Sequence, residues 1–141
     1  MKPFWATKPF QVRLKEPLGK PECPYAYRWV LIFLGYSIRI HHFLRSDDKR
    51  YLHDHGWWFL TFILSGSYVD VNEHERDELK RFQFRYRPAM HKHYVEVPVG
   101  GCWTILITGR PSRNWGFWVD GKLKRPLKYF HKFGHPACAD Q

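Results

Sequence analysis

Residues 52–68 have the sequence Leu-His-Asp-His-Gly-Trp-Trp-Phe-Leu-Thr-Phe-Ile-Leu-Ser-Gly-Ser-Tyr. In this stretch His53 and His55 come just before an apolar run of strand length, residues 57–64, and the Ser-Gly-Ser that follows is typical of a turn. Residues two apart on a strand point to the same side, so both imidazoles project from one face. The stretch therefore predicts a strand with two potential metal ligands at its start.

A second pair of this kind, His91 and His93, follows farther along the chain, after a proline-containing turn and before a short apolar strand. If the two strands are neighbours in a closed barrel, all four imidazoles converge inside it. Neutral imidazole is a good ligand for Zn, Fe(II), Ni, Cu and Co. We therefore predict a metal site formed by His53, His55, His93 and His91.

The rest of the chain favours a single mostly-β domain. From residue 29 onward we count about eight short strands and no long helical period, which indicates an antiparallel sandwich or barrel. Residues 1–28 contain five prolines and are expected to form an irregular aromatic arm. Residues 29–121 are assigned to the barrel. Residues 122–141 are assigned to a basic C-terminal tail packed on the barrel.

Two stretches resemble the motifs of the cupin family. Residues 52–68 resemble the first motif, in which a His-x-His pair precedes a strand that ends in a glycine turn. Residues 87–97 resemble the second, in which a proline-containing turn precedes a histidine on the next strand. Residues 102–109 and 115–117 resemble small cupin-like proteins often encoded by bacteriophages and prophages. The resemblance covers about residues 30–119 and implies a cupin double-stranded β-helix, a jelly-roll barrel.

The resemblance also implies a ligand set. His53 and His55 match the first-motif ligands and His93 matches the second-motif ligand, so that His91 replaces or supplements His93. The first motif usually supplies a glutamate a few residues after the pair, but residues 59–60 are Phe and Leu. This departure implies an all-histidine site, as in thiol-dioxygenase-like cupins, or a site that has lost strong metal binding.

Other residues near the motifs are candidates for supporting roles. Asp54 points to the opposite face of an ideal strand, so we expect it to hold an imidazole by its other nitrogen rather than to bind metal. The candidates for lining the pocket are His42, Trp57, Tyr86 and Tyr94.

The charge balance bears on partners. The chain has 23 Lys+Arg against 13 Asp+Glu, a formal charge of +10, and a positive field attracts anions. The strand over residues 81–87 is predicted to have a basic outer face, although no recognised nucleic-acid module is present. The candidates for binding anions or nucleic acid are Arg81, Arg85, Arg87, Lys124, Arg125 and Lys128.

The three cysteines are Cys23, Cys102 and Cys138, an odd number without a CxxC pair, which argues against a disulfide framework. No apolar run approaches the roughly 20 residues of a membrane span, and no secretory signal is recognisable. These features predict a protein of the cytoplasm, or of the host cytoplasm if the chain is phage-encoded.

Three functions are compatible with the sequence. The first is a metal-dependent enzyme, an oxygenase or isomerase, that acts on a small anionic substrate with Fe(II), Mn, Ni or Zn. The second is a binding module that sequesters a small ligand or nucleotide. The third is a nucleic-acid-binding protein that uses its basic face. We also expect a homodimer, in which the arm or a partner sheet covers the outer face of the barrel.

Overall fold

A computed structural model describes residues 8–136 and Cys138, and these residues are mainly β. Their strands and one helix are, in chain order, β1 (Phe10–Lys20), β2 (Cys23–Phe33), β3 (Tyr36–Phe43), β4 (Phe59–Gly66), β5 (Tyr68–Asn72), β6 (Arg76–Leu79), β7 (Phe84–Arg87), β8 (His93–Glu96), β9 (Cys102–Thr108), β10 (Phe117–Val119), β11 (Lys122–Lys124) and α1 (Pro126–Phe133). None of the described helical residues form a helix long and apolar enough to cross a membrane.

The strands form two layers. A six-stranded antiparallel sheet in the order β1-β2-β3-β9-β4-β7 is the first layer. The second contains the sheet β6-β5-β8 and the hairpin β10-β11, which are joined by single bridges from His53 to His93 and to Phe117. Side chains from both layers share one core, for example Ile63 of β4 and Val95 of β8.

The apolar run after the first histidine pair forms β4, a central strand of the large sheet. Phe59, Thr61 and Ile63 are buried against the core, and the alternate residues are half-buried on the outer face. The strand ends at Gly66, whose φ of 76° lies in the left-handed region that glycine adopts without strain. The predicted strand and turn are therefore present.

The expectation of an irregular N-terminal arm is wrong for the described part of residues 1–28, because β1 and the first half of β2 lie there. β1 is an edge strand with one neighbour, and a proline lacking an N–H is tolerated in such a strand. Pro17 accordingly pairs with Tyr27 within the ladder. Two irregularities in register, after Arg13 and after Leu18, accommodate the remaining departures from regular pairing.

The outer face of the large sheet is apolar across all six strands. One cross-strand row consists of Val12, Leu31, Ile38, Ile107, Leu60 and Tyr86. A second row consists of Trp29, Ile40, Ile105, Phe62 and Phe84. Neither row contains a charged residue, and several members are about half exposed, such as Ile38 at 51%.

The orientation of β7 is opposite to the predicted basic outer face. Phe84 and Tyr86 lie on the outer face and are 62% and 60% exposed. Arg85 and Arg87 point to the other side, where Asp77 of β6 pairs with both. The aspartate stabilises both arginines on this side of the sheet, which explains why the aromatic residues are the more exposed ones.

The C-terminal segment packs on the second layer through α1. Tyr129 is fully buried, stacks on Phe117 at 3.9 Å, and donates its hydroxyl hydrogen to Asp48 at 3.0 Å. Residues 122–124 belong to the β10-β11 hairpin, so the predicted boundary at 121/122 falls inside a hairpin turn.

Contrary to the expectation of no disulfide, Cys23 is bonded to Cys138, 115 positions away. The pairing follows from the tertiary fold, which brings the start of β2 to the end of the chain, and spacing in the sequence does not encode it. Cys102 is free and buried. Disulfides are rare in reducing compartments such as the cytoplasm. The Cys23–Cys138 bond therefore gives no support to the predicted cytoplasmic location, which stays a prediction.

Candidate metal centre

Three histidines converge between the two layers, and we call His53, His55 and His93 the histidine triad. Each offers a ring nitrogen, and these nitrogens lie within 4.8 Å of one another. Backbone hydrogen bonds fix the positions. The amides of His53 and His93 each donate to the other's carbonyl at 2.9 Å, and that of His55 donates to Ala89 at 3.0 Å. Three of the four predicted ligands are thus brought together.

Burial keeps the triad neutral. It lowers the pKa of all three imidazoles below the usual 6.5, and charge on the neighbouring histidines lowers the pKa of His53 and His55 further. Neutral imidazole is the form that binds metal. Nδ1 of His55 is also buried without a hydrogen-bond partner among the described residues. The donor set therefore fits a divalent metal.

Asp70 of β5 orients one ring of the triad. Its Oδ2 lies 2.7 Å from Nδ1 of His93, and the aspartate is fully buried. Because Nδ1 is engaged by the carboxylate, Nε2 is the nitrogen of His93 that remains for a metal. Asp70 was not predicted as a site residue, although an acidic residue two positions after Tyr68, on the buried face of an apolar strand, was a usable signal.

His91 lies outside the triad. Its Nε2 is 3.0 Å from both carboxylate oxygens of Asp70. Burial alone would raise the pKa of Asp70, but the hydrogen bonds with His91 and His93 hold it below its usual range. Asp70, His91 and His93 also converge within 4.8 Å, yet the guanidinium of Arg87 lies 3.4 Å from the same carboxylate. A cation already at that position disfavours a metal there, so the geometry favours the triad.

The triad lines a cavity of about 390 Å³ between the layers. Of the predicted pocket residues, Trp57 lines it and the other three do not. His42 lies on the outer face, where it stacks on Trp103 at 4.0 Å, and Tyr86 lies on the outer face beside Trp58. Tyr94 alternates with His93 along β8 and so points away from the cavity.

The residue that enters the cavity from β3 is His41, the neighbour of the predicted His42. Arg39 and Phe43 share its face and also line the cavity. The choice of His42 as a pocket residue therefore took the wrong face of β3 as the inner one, because polar side chains occupy the inner face here. For this reason Arg39 and His41 were not among the predicted pocket residues.

Asp54 does not hold an imidazole, contrary to the prediction. It is fully buried and accepts hydrogen bonds from Arg113 at 2.6 Å, from the amide of Gly116 at 3.0 Å and from the indole of Trp118 at 2.9 Å. These bonds fasten the segment between His53 and His55 to the loop before β10. Asp54 therefore positions the backbone of the histidine pair.

Among the residues that the structure describes, no carboxylate joins the triad in place of the missing glutamate of the first motif. Phe59 stands at one of those positions, and its ring lies 4.6 Å from that of His55. Asp47 is nearby, with Oδ2 3.9 Å from Nε2 of His53, and burial raises its pKa well above its usual value. Asp47 does not belong to the group of donor atoms that lie within 4.8 Å of one another, so the set remains histidine-only among the described residues.

The basic candidates fall into two groups. Arg85 and Arg87 are paired with Asp77 in the sandwich, and Arg81 lies over the ring of Phe82 at 4.6 Å. The other three, Lys124, Arg125 and Lys128, line an open groove of about 620 Å³ beside α1. Unlike Arg85 and Arg87, the residues of the second group have no carboxylate within ion-pair distance in the described part of the chain, although Asp120 also lines their groove.

No protein-family model matches the sequence, and no curated protein matches it. Solved structures do match. An Fe(II) form of HppE has a TM-score of 0.56 over 72% of this chain at 10% identity. A Bacillus subtilis oxalate decarboxylase gives 0.51 over 76% at 15% identity, and the EutQ protein of Clostridium difficile gives 0.54 over 73% at 11%. The chain spans 57%, 29% and 82% of these three chains.

These structural neighbours are cupin proteins, and identities this low establish the fold alone. The predicted fold class is confirmed: the chain is mainly β, antiparallel and consistent with a jelly-roll sandwich. The chain spans little more than half of the HppE chain and less than a third of the oxalate decarboxylase chain. A phage or prophage source stays a prediction.

Proposed function

We propose that this chain is a metal-dependent enzyme that acts on a small anionic substrate in the cavity beside the histidine triad. The observation that carries the proposal is the convergence of three neutral imidazoles within 4.8 Å on the wall of a cavity of about 390 Å³. A volume of this size suits a small molecule. The formal charge of +10 favours an anionic one.

The metal would be held by His53, His55 and His93. A divalent ion in this position supplies Lewis acidity, and Fe(II) adds redox chemistry. Fe(II), Mn, Ni and Zn are all compatible with nitrogen ligands. The Fe(II) form of HppE supports iron, and oxalate decarboxylase is an example of the same fold acting on a small carboxylic acid. Both an oxygenase and an isomerase remain compatible with this set.

The chain's own residues have separable roles in this proposal. Asp70 orients the ring of His93, and Asp54 fixes the backbone around His53 and His55. Trp57 and Phe59 flank the ring of His55, with ring centroids 5.3 Å and 4.6 Å away. These apolar rings exclude water from one side of the triad, which strengthens electrostatic interactions with a bound anion.

Elemental analysis after anaerobic loading with Fe(II), Mn(II), Ni(II) or Zn(II) tests the proposal. We expect about one metal per chain, lost in His53→Ala and in His93→Ala. His74→Ala is the matched control, because His74 is exposed on a loop and belongs neither to the triad nor to the lining of the cavity. If the His91→Ala variant still binds one metal per chain, the ligand set is the triad. The absence of metal from the loaded wild-type protein would leave a binding module that sequesters a small ligand or nucleotide.

A second candidate function is nucleic-acid binding, and the groove beside α1 favours it. Lys124, Arg125 and Lys128 line this groove together with Lys122 and Lys132. Binding through phosphate contacts would weaken steeply with salt. Equal affinity of wild-type protein and a Lys124→Glu, Lys128→Glu variant for an oligonucleotide at low salt would exclude this function for the groove.

We further propose that the outer face of the large sheet binds a second copy of the chain. The half-exposed side chains of this face offer about 1,000 Å² of accessible surface. This area is sufficient, because a stable interface buries about 800 Å² on each partner. The two rows that contain Ile38 and Ile40 lack charged residues, so two chains of +10 can meet there without direct like-charge contacts. Aligned packing of two such sheets is a common arrangement.

A further inference from the structure

The sheet wall of the cavity carries polar side chains in two adjacent cross-strand rows. Arg28, His41 and Thr104 are paired neighbours across β2, β3 and β9 in one row. Arg39 lies in the next row, paired with Leu106. All five residues line the cavity of the histidine triad. A wall inside a sandwich is normally apolar, so this cluster requires an explanation.

Two atoms of this wall are buried and have no hydrogen-bond partner in the described part of the chain. They are Nε2 of His41 and Oγ1 of Thr104. Thr104 is 1% exposed. A buried polar atom without a partner costs free energy, and native proteins keep few of them. Two such atoms on neighbouring strands, both facing one cavity, are suited to hydrogen-bond a ligand.

The same wall has an excess of positive charge. Glu16 is paired with Arg28 and lies 3.6 Å from Arg13, so one carboxylate serves two arginines. Arg39 has no carboxylate within ion-pair distance among residues 8–136, and its Nε donates to Ser37 at 2.9 Å. Burial, with Arg28 and Arg13 nearby, lowers the pKa of Arg39 to about 10, so it stays charged at pH 7.

We propose that Arg39, His41 and Thr104 form an oxyanion subsite that binds one end of a small elongated substrate while the other end reaches the histidine triad. The guanidinium supplies the charge, and the two unpartnered side chains supply hydrogen bonds to the same carboxylate, phosphate or sulfonate group. Only one part of this inference, the binding of one substrate end at the histidine triad, rests on the proposed function. The binding of the other end rests on the side chains of the sheet wall and does not require a metal.

Trp57 sets the separation of the two ends. Its ring lies 4.8 Å from the guanidinium of Arg39 and 5.3 Å from the ring of His55. The indole thus stands between the subsite and the triad, and a substrate that contacts both must reach across it. Two carboxylates joined directly, as in oxalate, or through one carbon atom, as in malonate, lie too close together, so the subsite selects a longer dianion.

The test uses the full chain loaded with Zn(II) and a series of unbranched dicarboxylates from malonate to adipate, with calorimetric measurement of binding. We expect the affinity to be highest for one member of the series that is longer than malonate. This dicarboxylate should bind at least tenfold more tightly than the monocarboxylate of the same length. Arg39→Gln should remove this advantage, and Thr104→Val should reduce it at least threefold. Metal stoichiometry should be unchanged in both variants. Arg81→Gln is the control, with the same charge change outside the cavity.

A phosphonate analogue of the best dicarboxylate distinguishes a carboxylate site from a phosphate-type site, because the shared oxyanion chemistry permits either. Inorganic phosphate added to the metal-free protein separates this inference from the proposed function. Phosphate binding that Arg39→Gln abolishes supports the subsite even if no metal binds. Unchanged binding of every probe in Arg39→Gln, or no binding of any probe by the wild-type protein, would overturn the subsite.

Discussion

Oδ2 of Asp70 and Nδ1 of His93 lie 2.7 Å apart, although the residues are 23 positions apart and on different strands, β5 and β8. The ladder between these strands pairs Asn72 with His93, so the contact is built into the register of the second layer. A carboxylate in this position fixes the orientation of the ring and raises its basicity. Asp70 is therefore expected to act on metal affinity through His93.

Replacing Asp70 with asparagine should weaken metal binding by about 10- to 100-fold without removing the site. The amide keeps the size of the side chain but loses the charge that stabilises the ring. Competition with a chromophoric chelator measures the affinity, and the visible spectrum of the Co(II) protein reports the ligand geometry. Arg85→Gln, which removes a neighbouring charge without touching His93, is the control. Identical affinity and spectrum in Asp70→Asn would refute the positioning role.

Acid should destabilise the metal-free protein. Burial, and then the charges of Arg39 and Arg28, lower the pKa of His41 to about 3, and the pKa of His53 and His55 is also far below 6.5. Such histidines bind protons more readily in the unfolded chain than in the folded one. Their contribution to the free energy of unfolding is therefore complete above pH 6.5 and decreases as the pH falls below it. Each contributes up to about 1.4 kcal/mol per pH unit.

Urea unfolding of the metal-free protein at pH 7, 6 and 5 measures this dependence. In His41→Phe the free energy of unfolding should depend less steeply on pH than in the wild type, by up to the contribution of one histidine. His74→Phe should show the same pH dependence as the wild type, because His74 is exposed. Stability that stays constant between pH 7 and pH 5 would contradict the expectation.

The outer face should hold the protein as a dimer. Sedimentation of the wild-type chain should give about twice the monomer mass of 17.1 kDa at micromolar concentration. Ile38→Glu places a charge in the middle of the first apolar row and should shift the protein to monomer. Leu127→Glu is the matched control, since Leu127 is 89% exposed on α1 and lies away from this face. A wild-type monomer would rule out the interface.

Loss of the disulfide should lower the free energy of unfolding by about 2–4 kcal/mol, because the bond restricts the unfolded chain. Cys23→Ser and Cys138→Ser should each show this loss in denaturant unfolding. Dithiothreitol should lower the midpoint of the wild-type protein and leave both variants unchanged. If the reductant shifts the variants as much as the wild type, the effect does not come from the Cys23–Cys138 bond.

Local periodicity made the strand content and the histidine pairs predictable. Residues two apart in extended backbone point to the same side, so His53 with His55 could be assigned together, although both lie before β4 and, of the two, only His53 forms isolated bridges. The glycine turn at Gly66 marked the end of β4. The fold class followed from many short strands without a helical period. Each of these inferences needs only a few neighbouring residues.

The features that could not be predicted depend on which distant segments of the chain are neighbours in the fold. Alternation shows which residues share a face but not which face lies inward, and the inner face of β3 carries Arg39 and His41 because it borders a polar cavity. Asp70 could be recognised as a partner of His93 only once β5 and β8 are paired. Prolines in and around β1 suggested irregular structure. A proline such as Pro17 is tolerated at a sheet edge, but the edge position of β1 is a property of the topology that the local sequence does not show.

The bond between Cys23 and Cys138 makes the chain between them a covalent ring, which leaves only residues 8–22 of the described chain outside it. One backbone cut inside the ring, for example at the fully exposed Val99, opens the ring without releasing a piece. Two fragments would separate on a denaturing gel only after reduction. New chain ends could therefore be introduced in an exposed turn while β1 and β2 remain attached to α1.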